Sequence, residues 1–299
     1  MLALVTLAVA LAGSALAAPA DIVKRQTVDD TTVLNYALTL EHLENTFYAE
    51  GLAKYDAAAF KNAGFPDWVR GRVSQIAEHE ASHVKFLSTA LGNAATKPCT
   101  YNFPYTDPKS FLALSMALEG TGTSAYLGAA QLISNKDYLT AAGSILTTEA
   151  RHDAWISSAV RKEAAWNLPY DTPLGLSGVY SIASQFITSC PSSNPTLPVT
   201  TYPSFSLTPA APAVGEKVKM NFDNKDNNSP LYVAYYSGLN VFYSDVASDG
   251  TTTIPSDLKN AGTVYASVVK SKDATPTDQT TLSGLTILYF AFNSATQQL

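Results

Sequence analysis

The spacing of apolar positions changes once along the chain. Over residues 29–188 they recur every three or four residues, as on amphipathic helices; beyond residue 204 they alternate, as on half-buried strands. In the first part Leu34, Leu38, Glu41, Tyr48 and Leu52 mark a helix over 29–54, with Asp29, Asp30 or Thr31 as its cap. A turn at Gly64-Phe65-Pro66-Asp67 leads into a second helix over 67–91, closed by Gly92. Asp107 and Pro108 open a third helix that runs to about Ile133. Asn135 or Asp137 caps a fourth, extending towards Trp166, and Leu176 to Thr188 reads as a short fifth helix.

Residues 191–203 are rich in Pro, Ser and Thr and read as a linker. After it, Val218, Met220 and Phe222 share one strand face. So do Leu231, Val233 and Tyr235, then Val264, Ala266 and Val268, then Leu285, Ile287 and Tyr289, with glycines between the runs. Short strands at regular spacing predict a sandwich. The expected architecture is therefore a four-helix bundle with a short fifth helix, followed by an all-β immunoglobulin-like sandwich.

Composition adds compartment and excludes some partners. The 299 residues carry a net charge of −6 without a basic cluster, which argues against nucleic acid as a partner. Residues 2–17 form an apolar run ending in Ala15-Leu16-Ala17, too short for a membrane span and shaped like a secretory signal. Lys24-Arg25 resembles a dibasic propeptide site. The expected segments are thus a signal at 1–17, a propeptide at 18–25, a helical domain at 26–192, a linker at 193–203 and a β-domain at 204–299. In a secreted, oxidising setting the two cysteines, Cys99 and Cys190, predict one disulfide. Asn227 opens a candidate glycosylation sequon. No other apolar run is long enough to span a membrane.

The chemistry lies in polar residues that interrupt the helical pattern. The second helix carries Glu80-x-x-His83 and the fourth carries Glu149-x-x-His152. The first pairs Glu41 with Tyr48 and the third pairs Glu119 with Tyr126, each seven residues apart. Residues three, four or seven apart share a helix face, so each helix presents its groups on one side. The order Glu…Tyr, Glu-x-x-His, repeated once, is an internal repeat of a helical pair. One Glu from each of two helices plus Glu-x-x-His from each of two others is the ligand pattern of di-iron and di-manganese bundles. Two cations close together need bridging carboxylates to screen their repulsion, and four carboxylates neutralise most of their charge.

These residues resemble the ferritin-like superfamily. More narrowly, they resemble secreted fungal ferritin-like proteins related to the stress- and desiccation-responsive protein Rds1. The resemblance is carried by residues 37–44 (Ala-Leu-Thr-Leu-Glu-His-Leu-Glu) with Phe47-Tyr48, by residues 99–105 (Cys-Thr-Tyr-Asn-Phe-Pro-Tyr), by Leu118-Glu119 with residues 125–130 (Ala-Tyr-Leu-Gly-Ala-Ala), by Glu149-Ala150-Arg151-His152, and by Phe186-Ile187 with Ser189-Cys190-Pro191. It covers roughly 26–192 and implies a ferritin-like bundle, a di-metal site and a stress-related role, without naming a reaction. The expected ligands of two iron or two manganese ions are Glu41, Glu80, His83, Glu119, Glu149 and His152, with Glu80 and Glu149 as the bridging pair. Glu44 is a supporting or alternative ligand, and Tyr48 and Tyr126 are expected to hydrogen-bond ligand carboxylates across the bundle. Dioxygen or peroxide would be the reactant, with peroxide scavenging the most concrete chemistry.

Two other readings compete. His79-Glu80-Ala81-Ser82-His83 also matches the zinc-protease helix H-E-x-x-H. Phe86 and Thr89 stand where the longer form of that motif needs Gly and His, and a catalytic zinc needs a third ligand, a role for which nothing around Glu119 marks it out. The protease reading also leaves Glu149-x-x-His152 unexplained. The other reading is a stress-induced extracellular or cell-wall binding protein, in which the β-domain acts and the bundle is a scaffold with a structural or vestigial site.

Overall fold

Asp29 caps α1 (Asp30–Lys54) by accepting a hydrogen bond from the Thr32 amide at 2.8 Å. The computed structural model describes residues 28–224 and 230–291; the signal segment, the dibasic site and Asn227 lie outside them. Val33, Tyr36, Leu38, Leu43, Phe47 and Tyr48 of α1 are all buried, so this helix lies at the centre of the layer rather than on its rim. A one-and-a-half-turn helix, α2 (Ala57–Asn62), follows and was not expected from the pattern; its cap is Asp56, which accepts from the Ala59 amide. α3 (Trp68–Leu91) ends at Gly92, which takes a positive φ of 55°. A two-residue strand, β1 (Thr100–Tyr101), precedes α4 (Pro108–Ala129). That helix opens on a reciprocal capping box between Asp107 and Ser110 with Pro at its start. Asn135 caps α5 (Lys136–Trp155).

α3 packs on α1 and α5 on α4, and the two pairs join through α1 and α4. The result is a four-helix bundle whose core includes Phe47, Phe60, Phe111 and Ile156. Among the described residues no helix is long and apolar enough to cross a membrane.

The fourth long helix is shorter than its pattern suggested. It gives way after Trp155 to a π turn over Ile156–Val160, and residues 161–175 are irregular, so Trp166 is exposed rather than helical. Ile156 and Val160 still face the core, which is why the apolar spacing continued past the helix end. The fifth segment is also divided. α6 (Leu176–Ala183) ends early, and β2 (Ile187–Ser189) pairs antiparallel with β1. Cys99 and Cys190, flanking these two strands, form the expected disulfide.

Two antiparallel sheets follow. β3 (Phe205–Thr208), β4 (Lys217–Phe222) and β7 (Thr251–Thr253) form the smaller, in the order β3-β4-β7. β5 (Tyr232–Ser237), β6 (Asn240–Asp245), β8 (Gly262–Val269) and β9 (Thr286–Phe290) form the larger, in the order β6-β5-β8-β9. Leu207, Val218 and Met220 from one sheet meet Val233, Val264, Ala266 and Val268 from the other in a shared core.

The larger sheet is covered on both faces. Leu288 and Phe290 of β9 enter the β core, whereas Leu285 just before it belongs to the helical core and Ile287 packs there. The set Leu285, Ile287 and Tyr289 therefore faces the helices; the Tyr289 hydroxyl accepts from the Ala164 amide at 3.1 Å. From β8, Tyr265 reaches α4, where Ser124 donates to its hydroxyl at 3.2 Å. The segment before β3 lies against the same surface, with Leu197 and Val199 on the helical core and the Thr200 amide bonded to Ser177.

Candidate metal centre

The six expected ligands converge from four helices. Glu41 comes from α1, Glu80 and His83 from α3, Glu119 from α4, and Glu149 and His152 from α5. All four carboxylates are 0% exposed. α3 and α5 each deliver two groups from one face because the residues are three apart, α1 and α4 add one carboxylate each, and the pairs α1–α3 and α4–α5 repeat the same arrangement.

Ligand atoms cluster in two groups, each with all atoms within 4.8 Å of one another. The first is Glu41, Glu80, His83 and Glu149; the second is Glu80, Glu119, Glu149 and His152. Glu80 and Glu149 belong to both. His83 Nδ1 faces three carboxylate oxygens: Glu80 Oε2 at 3.2 Å, Glu41 Oε2 at 3.3 Å and Glu149 Oε1 at 3.3 Å. His152 Nδ1 faces Glu119 Oε2 at 3.0 Å and Glu80 Oε1 at 3.3 Å.

A single N–H cannot serve three acceptors. Glu41 Oε2, Glu80 Oε1 and both oxygens of Glu149 are buried without a hydrogen-bond donor. Close approach to an imidazole nitrogen is therefore not hydrogen bonding at these oxygens; the nitrogen and the oxygens instead point at common positions. Buried carboxylates are costly unless a cation meets them. A hard divalent ion accepts oxygen donors from several directions together with an imidazole nitrogen, so the donor set fits a metal.

The electrostatics agree. Burial first, and then repulsion from Glu149, raises the Glu80 carboxyl to about 7. Burial and the Glu119 charge push Glu149 well above the usual carboxylate range. Burial also raises Glu119, against the pull of His152. At His83 burial acts downward, but the surrounding carboxylates of Glu149, Glu41 and Glu80 outweigh it and hold the imidazole up to about 12. Glu119 and Glu80 likewise outweigh burial at His152 and hold it at about 10. Positive charge is in demand at this site.

Tyrosines tie the two helical pairs together. Tyr48 of α1 donates to Glu119 Oε1 of α4 and contacts Ser115 Oγ at 2.6 Å, and Tyr126 of α4 donates to Glu41 Oε1 of α1. Glu44 is buried but belongs to neither ligand group. Burial, then the charges of Glu149 and Glu41, push its carboxyl far upward. Gly122 makes room for it: a Cβ there would lie 3.0 Å from Glu149 Oε2 and 3.1 Å from Glu44 Oε1. Ser115 and Gly122 were not singled out from sequence. Their signal was their spacing from Glu119, four before and three after, which puts them on its face of α4.

Of the remaining histidines, His42 meets the Thr96 carbonyl at 3.1 Å and anchors the loop after α3. His79 joins neither group, so the H-E-x-x-H pair does not converge as a zinc site among the described residues. Its ring meets His152 instead.

Residues 29–162 match the family model described as a ferritin-like domain. The chain is also similar to protein rds1 of Schizosaccharomyces pombe (strain 972 / ATCC 24843), 28% identical over 200 residues. That alignment covers 65% of this chain and 47% of the relative, so the chain spans about half the length of the curated protein it matches. The helical part of this chain, with its buried carboxylate and histidine cluster, is a ferritin-like domain in a protein related to Rds1.

Proposed function

We propose that the bundle holds two iron or two manganese ions and reacts with dioxygen or peroxide. The observation that carries this reading is the sharing of Glu80 and Glu149 between the two ligand groups, with both Glu149 oxygens buried and lacking a donor. Two overlapping sets of carboxylates plus one imidazole suit two ions better than one. Glu80 and Glu149 are the bridging pair in this reading, Glu41 and His83 complete one position, and Glu119 and His152 complete the other. Tyr48 and Tyr126 hold the terminal carboxylates by one oxygen each, leaving the second free to ligate. When bound, such a metal pair supplies and recovers electrons for reduction of an oxidant. Peroxide scavenging is the most concrete version.

The setting belongs to the same proposal. A leader ending at Ala17 and a propeptide ending at Arg25 would release a mature chain starting at Gln26, and a disulfide between Cys99 and Cys190 suits an oxidising, extracellular or cell-wall compartment. The two facing sheets support an immunoglobulin-like assignment of the β region, here a companion to the bundle. The activity serves a stress response in this reading.

Metal analysis of the purified chain after anaerobic reconstitution tests the core of it. Two iron or manganese per chain is the expected result. No bound metal would sink the reading and leave the bundle as scaffold.

A further inference from the structure

The repeat that builds the site is broken at one position. His79 precedes Glu80-x-x-His83, but Thr148 precedes Glu149-x-x-His152. His79 is exposed on α3, yet its Nδ1 lies 2.9 Å from His152 Nε2 on α5. The ring planes differ by 17° and the ring centres are 5.2 Å apart. Nearly parallel planes, with the two nitrogens lying between such widely spaced centres, place the rings edge to edge. The contact is an in-plane N–H···N hydrogen bond rather than a face-to-face stack.

The consequence falls on the tautomer of His152. Its Nδ1 faces Glu119 and Glu80 and is the metal-side atom. A ligating imidazole is neutral, so its one hydrogen must then be on Nε2. His79 Nδ1 is the acceptor the structure offers that hydrogen. A free neutral imidazole populates two tautomers and an arc of ring orientations; this bond selects one of each. His83 has the same inward geometry at Nδ1. The residue at the position equivalent to His79 is Thr148, whose hydroxyl turns back to the Ser144 carbonyl of its own helix at 3.1 Å.

We propose that His79 is a positioning residue that makes the two metal positions unequal, the one served by Glu119 and His152 being the tighter. The inference rests on the two-metal reading above. His79 touches no ligand position itself and acts through the ring of His152.

Anaerobic titration of the metal-free full chain with cobalt(II), followed by visible absorption and calorimetry, reads the two positions separately. Wild type should bind two cobalt ions in two resolved steps. His79→Ala should weaken the tighter step by about 10- to 100-fold, the usual effect of losing a partner of a ligand, and leave the weaker step in place. The thermal midpoint of the metal-free chain should stay the same, because His79 is exposed. His79→Gln, whose side-chain carbonyl can accept from Nε2–H, should recover part of the loss. Equal steps in wild type, no change in His79→Ala, equal weakening of both steps, or a loss that Gln does not relieve each overturn the role given to His79. A wild-type chain that binds no cobalt would instead sink the two-metal reading itself.

Discussion

Tyr126 donates its hydroxyl to Glu41 across the junction of α4 and α1, and Tyr48 returns the contact from α1 to Glu119. The exchange is the seven-residue Glu–Tyr spacing made three-dimensional: each helix supplies one ligand and the brace for the other's ligand. Both rings are buried, so neither hydroxyl can be replaced by bulk water. Tyr126→Phe therefore leaves Glu41 Oε1 without its donor. Loss of a buried hydrogen bond to a charged group should cost the metal-free chain about 1–3 kcal/mol, read as a lower urea midpoint. Cobalt affinity should fall about 10-fold or more, with the larger effect at the position Glu41 serves.

Glu149→Gln should separate stability from binding. Glu149 has two buried oxygens without donors, and its carboxyl is pushed far upward by burial and by Glu119. A neutral amide spares folding the cost of burying a charge or taking up a proton at this position, and brings donors to acceptor-rich surroundings. The metal-free variant should melt a few degrees higher than wild type, while bound metal drops below two per chain. Calorimetric melting and metal analysis of the same sample check both signs.

Much of the site was legible because ligation uses local spacing. Glu80 and His83 fall on one face by helix geometry alone, and the second copy at Glu149 and His152 is what neither a protease helix nor a solvated helix face accounts for. Caps were legible for the same local reason, as at Asp29 and Asp107. What escaped depends on tertiary neighbours. The apolar spacing past Trp155 reflects residues that pack on the core from a π turn and an irregular segment, and no local signal marks where the helix bonding fails. Leu285, Ile287 and Tyr289 look like a core face, and they are one, but of the helical layer rather than the sandwich. His79 read as part of a protease motif because its true partner, His152, lies 73 positions away on another helix.

Acid should compete with metal. In the metal-free chain His83 and His152 are raised from 6.5 to about 12 and about 10, because the carboxylates around them outweigh burial. Their folded values lie above their unfolded ones. The stability they contribute is fully present below pH 6.5 and is lost as pH rises through about 10 and then about 12. Metal-free melting temperatures should accordingly decline on the alkaline side of neutrality. Metal needs the deprotonated imidazoles, so its affinity should rise over the same interval and binding should release protons. Calorimetry in two buffers of different ionisation enthalpy measures that release; binding without it would contradict the ionised pairs described here.

The broken repeat permits a constructive test. Thr148 stands on α5 where His79 stands on α3, and the two helices present their Glu-x-x-His faces to the same cluster in equivalent ways. Thr148 is half-buried, and its hydroxyl spends its hydrogen on the backbone of its own helix, a contact whose loss costs little. Thr148→His should place an imidazole against the outer edge of His83, as His79 is placed against His152. The weaker cobalt step should then tighten by about 10-fold while the stronger one stays put, so that the two steps converge. In the double variant His79→Ala, Thr148→His the order should reverse, with the position served by Glu41 and His83 filling first. Visible spectra recorded after one equivalent of cobalt, compared among wild type, the single variants and the double variant, show which position fills. A double variant whose first equivalent gives the wild-type spectrum would mean that something other than the outer imidazole sets the order.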